Sequence, residues 1–137
     1  DAGNAYLPHN YSCNCVAYTG THDNDTTIGW YRTLAEDSDE KNYLRRYLGV
    51  SGEAISWDLV RAVMKSAAHL AIVPLQDLLS LGSEARINTP GAPIGNWQWR
   101  YLPEQLDALQ AESSSYLKEL MHDFGRSEGV SRAYPVF

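Results

Sequence analysis

The densest group of residues able to do chemistry is Thr19-Gly20-Thr21-His22-Asp23-Asn24-Asp25-Thr26-Thr27. A helix cap would use one side-chain oxygen, from Asp25 or Thr26, and Asp25 is the expected cap. That use leaves the adjacent His22 and Asp23 without an explanation. A calcium loop beginning at Asp23 would put Ile28 and Leu34 where a Gly and a bidentate Glu are needed. The cluster is therefore not a site of the EF-hand type.

The second cluster runs Gly82-Ser83-Glu84-Ala85-Arg86-Ile87-Asn88-Thr89-Pro90-Gly91 and is followed by Asn96-Trp97-Gln98-Trp99-Arg100. In an extended segment Trp97 and Trp99 would face the same way. Aromatic faces beside Asn and Arg can stack on sugar rings while the polar groups hold hydroxyls, and two Trp can equally be core. Glu84 and Arg86 read as a local ion pair or as solvated charges. His9 and His69 show no partner in the sequence, and His69 reads as structural. His122 suits the end of a helix electrostatically. No Ser/His/Asp nucleophile arrangement, four-Cys zinc pattern or phosphate-cradling glycine loop occurs, so no metal and no cofactor is expected.

These loops need elements to position them. Cys13–Tyr18 reads as a short buried strand that stops at Thr19-Gly20. A helix to about Leu34 follows, and a second is expected over 39–48, with Asp39 and Glu40 in its first turn and Gly49 just past its end. A third opens at Ser56, with Leu59, Val60, Val63, Met64 and Ala67 on one face. His69–Val73 reads as a second strand, Gln76–Leu81 as a turn and a half of helix, and residues 83–101 as irregular. The last helix starts at Pro103 and closes at Gly125, with an apolar face of Leu106, Leu109, Tyr116, Leu117, Leu120, Met121 and Phe124, and Ser113–Ser115 able to kink or split it. Strand, helices, strand, helices is the order of a parallel α/β architecture. Two parallel strands cannot cover each other on both faces, so the chain is expected to belong to a larger sheet or barrel.

Composition narrows the function classes. With 11 basic and 17 acidic residues among 137, a net charge of −6 argues against a phosphate-backbone binder, so no nucleic-acid partner is expected. The longest nearly apolar run, Ala67–Leu75, contains His69 and Pro74 and is far short of the about 20 residues that a membrane helix needs. Cys13 and Cys15, two apart in the expected strand, would lie about 6–7 Å from each other. That is near the outer limit for a disulfide, and the expectation is two buried thiols in a reducing, cytoplasmic compartment. The first residues show neither a basic stretch nor an apolar one, so no signal peptide is expected.

Val16-Ala17-Tyr18-Thr19-Gly20-Thr21-His22-Asp23-Asn24-Asp25-Thr26-Thr27-Ile28-Gly29-Trp30-Tyr31 resembles the signature of the 4-α-glucanotransferases, the amylomaltase or disproportionating-enzyme family (glycoside hydrolase family 77). Pro74–Leu79, Leu81–Asn88 and Gly95–Arg100 resemble further stretches of that family in the family's order. Ile87 and Ala92 depart from its usual Met and Thr.

The resemblance implies an α/β fold, the C-terminal portion of an elaborated (β/α)₈ TIM-type barrel. Cys13–Tyr18 and His69–Val73 would be its seventh and eighth strands. Residues 1–137 would be a single segment of the catalytic barrel with no separate second domain. It also implies that Asp23 is catalytic, stabilising the transition state, and that His22 contacts the sugar at the cleavage site. Asn88 would help hold the donor chain, and Trp97 is the candidate sugar platform. The nucleophile and the acid/base match positions upstream of Asp1. The implied activity is transfer of α-1,4-glucan segments between maltooligosaccharides by a retaining mechanism, with a third carboxylate assisting an oxocarbenium-like state. The partners expected are α-1,4-glucans, the upstream part of the same barrel and, for the chain alone, copies of itself. A non-catalytic glucan-binding module and a structural fragment are the alternatives.

Overall fold

A computed structural model describes residues 2–127. The chain divides into two compact units, Asp1–Tyr101 and Leu102–Phe137.

The first unit is built on strands β1 (Val16–Tyr18) and β2 (Leu70–Ile72), joined by helices α1 (Thr27–Thr33), α2 (Asp39–Leu48) and α3 (Ile55–Lys65). The strands are parallel, with Val16, Ala17 and Tyr18 opposite Leu70, Ala71 and Ile72. Both are shorter than expected. With one neighbour each, they keep a regular ladder over three residues, although His69 N still donates to the Cys13 carbonyl at 2.8 Å. Cys13 and Cys15 consequently precede β1. Both thiols are free, but Cys13 is exposed and Cys15 only half-buried, which corrects the expectation of two buried thiols.

Ala17, Val63 and Ala68 form the buried centre, with Tyr11, Cys15 and Ala71 packed against it. From α3, Ile55, Val60, Val63 and Met64 are buried as their spacing requires, whereas Ala67 lies past the helix end and is exposed. Ser56 is not the cap of α3: it sits inside the helix, buried, and its hydroxyl donates to the Asp77 carbonyl at 2.6 Å. The other sheet face is uncovered, since Val16, Tyr18, Leu70 and Ile72 are each between 42% and 48% exposed. Two strands have nothing of their own to lay on that side.

The expected α2 matches the observed bounds. Ser38 caps it by accepting from Lys41 N, and Gly49, at φ 71°, ends it in the left-handed conformation that glycine adopts without strain. Glu36 receives Lys41 Nζ at 2.8 Å and Arg45 Nη2 at 2.6 Å. These bonds, Lys41 first, hold its carboxyl below the ordinary range. Arg45 Nε donates to the Tyr31 hydroxyl, which ties α2 to α1.

After β2 come the single turn α4 (Leu75–Leu78) and a 3₁₀ turn, Ser83–Ala85. The second unit contains α5 (Pro103–Glu112) and α6 (Ser114–Asp123). The anticipated long helix is split at Ser113, where φ is −124°, and Ser114 Oγ bonds back to the Gln110 carbonyl at 2.6 Å. Leu120 is its buried residue, whereas Leu106 and Tyr116 are exposed.

Candidate active site

Parallel α/β folds collect functional loops at the C-terminal ends of their strands, because side chains there are freed from the ladder while the backbone stays anchored. Here β1 runs into the loop of residues 19–26 and β2 into α4. A cavity of about 450 Å³ opens between them, with Tyr18, His22, Ile72 and Arg86 among its walls. A second, of about 650 Å³, is lined by Asp23, Trp30 and Arg86.

One buried carboxylate holds both ends of the first loop. Asp77, 2% exposed, accepts from Thr19 Oγ1 at 2.6 Å, from Thr27 N at 2.9 Å and from Thr27 Oγ1 at 3.0 Å. Thr27 is the first residue of α1, so Asp77 also lies where the helix dipole favours negative charge. The cap of α1 is Thr26, which accepts from Gly29 N at 3.0 Å. Asp25 was the expected cap. Its carboxylate instead accepts from Thr26 N at 2.8 Å and from Ser83 Oγ at 2.7 Å, bridging to the second loop.

A Cβ on Gly29 would collide with both Ser83 Oγ and the Asp25 carboxyl. Gly29→Ala is therefore expected to break that bridge and lower stability by about 1–3 kcal/mol, the usual range for overpacking. Thermal denaturation of the complete protein checks this, and an unchanged melting temperature would contradict it.

Between its anchors the loop presents His22 and Asp23, whose side chains are both 52% exposed. The four residues singled out from the sequence come together. Asn88 Nδ2 donates to Asp23 Oδ1 at 2.6 Å. His22 Nε2 lies 3.3 Å from the same oxygen. The Trp97 ring packs against His22 at 5.1 Å between centroids, tilted by 38°. Trp97 is 57% exposed and is not core. It also breaks the expectation of an extended segment with both Trp on one side. Its φ is 63°, a left-handed backbone held by a 2.7 Å bond from its N–H to the Ile87 carbonyl, while Trp99 is half-buried. Strained bulky residues concentrate at functional sites.

Arg86 is the residue that the sequence reading passed over. Among the described residues it pairs with no carboxylate. Its Nη2 donates to the Asp23 carbonyl at 2.8 Å and its Nε to the Asn88 carbonyl at 2.9 Å, while Glu84 accepts from Gly82 N. Nothing in the local pattern marks it, because its acceptor on Asp23 lies 63 positions away. The remaining histidines lie elsewhere. His9 meets the Tyr47 hydroxyl at 2.8 Å, and His122 is exposed at the end of α6, 3.6 Å from Asp123. Among the described residues no group of three or more His, Cys, Asp or Glu side chains could hold a metal ion, and no helix is long and apolar enough to cross a membrane.

An exposed carboxylate braced by an amide, beside an imidazole and an aromatic face, can hold hydroxyl-rich rings and oppose positive charge. A family model described as 4-alpha-glucanotransferase matches residues 1–106. The 4-alpha-glucanotransferase of Synechocystis is 52% identical over 122 residues, which is 88% of this chain and 24% of that protein. That of Thermus thermophilus is 53% identical over 111 residues, covering 75% of this chain and 22% of its own length. Among solved structures, the amylomaltase from Streptococcus agalactiae in complex with acarbose matches with a TM-score of 0.78 at 34% identity, over 88% of this chain and 24% of that one. The chain thus spans about a quarter of the length of these relatives. With a family model matched over residues 1–106 and the fold of an amylomaltase reproduced over 88% of the chain, residues 1–137 belong to the 4-alpha-glucanotransferase family, glycoside hydrolase family 77.

Proposed function

We propose that the protein containing residues 1–137 transfers α-1,4-glucan segments between maltooligosaccharide chains, with retention at the anomeric carbon. The observation that carries this reading is the meeting of Asp23, His22, Asn88 and Trp97, drawn from two loops, beside a cavity at the C-terminal ends of two parallel strands.

Retaining transfer needs two carboxylates about 5–5.5 Å apart, one attacking the anomeric carbon and one protonating the leaving oxygen. The departing chain leaves a glycosyl–enzyme intermediate, which the hydroxyl of an acceptor glucan then opens as the acid, now a base, takes its proton. In this reading both groups come from the upstream part of the chain, and residues 1–137 supply the third carboxylate. Asp23 Oδ1 is occupied by Asn88 and His22, which leaves Oδ2 to accept from sugar hydroxyls. Those bonds strengthen as positive charge grows on the ring, so they favour the transition state over the bound substrate. His22 contacts the sugar at the cleavage site, Asn88 helps hold the donor chain, and Trp97 offers a ring face to a glucose unit.

β1 and β2 act as the seventh and eighth strands of a (β/α)₈ barrel, and residues 1–137 are one segment of it with no separate second domain. The apolar face of Val16, Tyr18, Leu70 and Ile72 is covered by upstream strands, and the chain by itself associates with copies to hide it. The proposed location is the cytoplasm, in keeping with free thiols.

Incubating the complete protein with maltotriose tests the proposal. Two maltotriose molecules should yield glucose and maltopentaose, with the α configuration kept. The 137-residue chain alone should yield neither. Transfer by the chain alone would overturn the assignment of the nucleophile and the acid/base to the upstream part, and maltotriose binding without turnover by the complete protein would refute the catalytic reading and leave a glucan-binding module.

A further inference from the structure

The geometry points to Arg86 as the positioning residue that holds Asp23 in working register, an inference that rests on the role proposed above for Asp23. Asp23 sits in the middle of an exposed loop, where packing does little to hold it. The anchors on Asp77 act at Thr19 and Thr27, four residues away on either side. Arg86 reaches the main chain of Asp23 itself, with Nη2 on its carbonyl at 2.8 Å. The same guanidinium holds the Asn88 carbonyl through Nε at 2.9 Å. Because the guanidinium is planar and rigid, two bonds from one fork set the spacing of the two carbonyls.

Asn88 then completes a ring by donating its side-chain amide to Asp23 Oδ1 at 2.6 Å. Peptide position and carboxylate rotamer are fixed together. Both Arg86 bonds go to backbone carbonyls, so the cation braces the loop without pairing with the carboxylate, whose charge stays available to a developing oxocarbenium. Arg86 touches no reacting atom in this scheme and acts through Asp23.

The test uses the complete enzyme and maltotriose. Arg86→Ala should lower kcat about 10- to 100-fold with KM within about twofold, since misplacing a catalytic group by about 1 Å costs on that order. Arg86→Lys should fall between Arg86→Ala and the parent, because an ammonium cannot span both carbonyls in the fork geometry. A double-mutant cycle gives the readout that a merely structural role would not move. In an Asp23→Asn background, Arg86→Ala should cost less than about threefold more. The full loss persisting in that background, or a rise in KM at unchanged kcat, would overturn the role of Arg86 alone. Normal activity of Asp23→Asn by itself would instead remove the role of Asp23. Should Arg86→Ala not fold, Arg86→Lys carries the same cycle, and the parent's kcat in Arg86→Lys would overturn the inference.

Discussion

Asp23→Asn in the complete protein is expected to reduce glucan transfer by about a thousandfold while leaving the fold intact. The substitution keeps the shape of the side chain and one carbonyl oxygen, so Asn88 Nδ2 still finds an acceptor where Oδ1 stood. What disappears is the negative charge. A preorganised charge facing developing charge contributes about 3–4 kcal/mol to lowering the barrier, more than a neutral amide in its place can. The loss should fall on kcat, because the charge matters most once the ring has become cationic. Transfer from maltotriose at a near-normal rate would remove Asp23 from the mechanism, and a matching drop in melting temperature would make its role structural.

Asp77→Ala should behave in the opposite way, lowering the stability of the fold before it reveals anything about chemistry. Three donors converge on this buried carboxylate, and truncation strands all of them: the Thr19 hydroxyl, the Thr27 amide and the Thr27 hydroxyl. An unsatisfied buried donor costs about 1–3 kcal/mol, so a loss of roughly 3 kcal/mol or more is expected, a large part of the stability of an ordinary domain. Asp77→Asn should cost less. One carbonyl oxygen can still take the Thr27 amide, while the new NH₂ faces two hydroxyls that can turn to accept from it. Denaturant unfolding of the two variants separates these cases. Equal stability for Asp77→Ala and the parent would show that the loop does not depend on this anchor. The two aspartates thus divide the work of one loop: Asp77 holds its ends, and Asp23 is the group being held.

Much of this was legible in the chain, and the legible part follows from local physics. The spacing of Val60, Val63 and Met64 is an amphipathic helix whatever surrounds it, and those residues are buried in α3. Asp39 and Glu40 open α2 and Gly49 closes it because a negative first turn and a left-handed C-cap suit the helix itself. The His22-Asp23 pair stood out because one cap could not account for it. Three of the readings that failed turned on a partner outside the local pattern. Asp25 is a good cap by type, but Thr26 takes the position while Asp25 bridges to Ser83, 58 residues on. Arg86 beside Glu84 suggests an ion pair, yet carbonyls of Asp23 and Asn88 take its hydrogen bonds. Trp97 and Trp99 alternate as in a strand, but the bond from Trp97 N–H to Ile87 turns the backbone left-handed.

The sequence by itself determined the kinds of elements, their order and the two loops that carry polar groups, since periodicity, caps and breakers act over a turn or two of chain. Tertiary structure decided which oxygen each donor finds. Pairing β1 with β2 in parallel puts the ends of two distant segments side by side, and only then do Asp77, Ser83, Arg86 and Asn88 come within reach of residues 19–27. Hydrogen bonds work within about 3 Å and ignore separation along the chain, so their partners are set by the packing of the elements and not by any pattern within one of them.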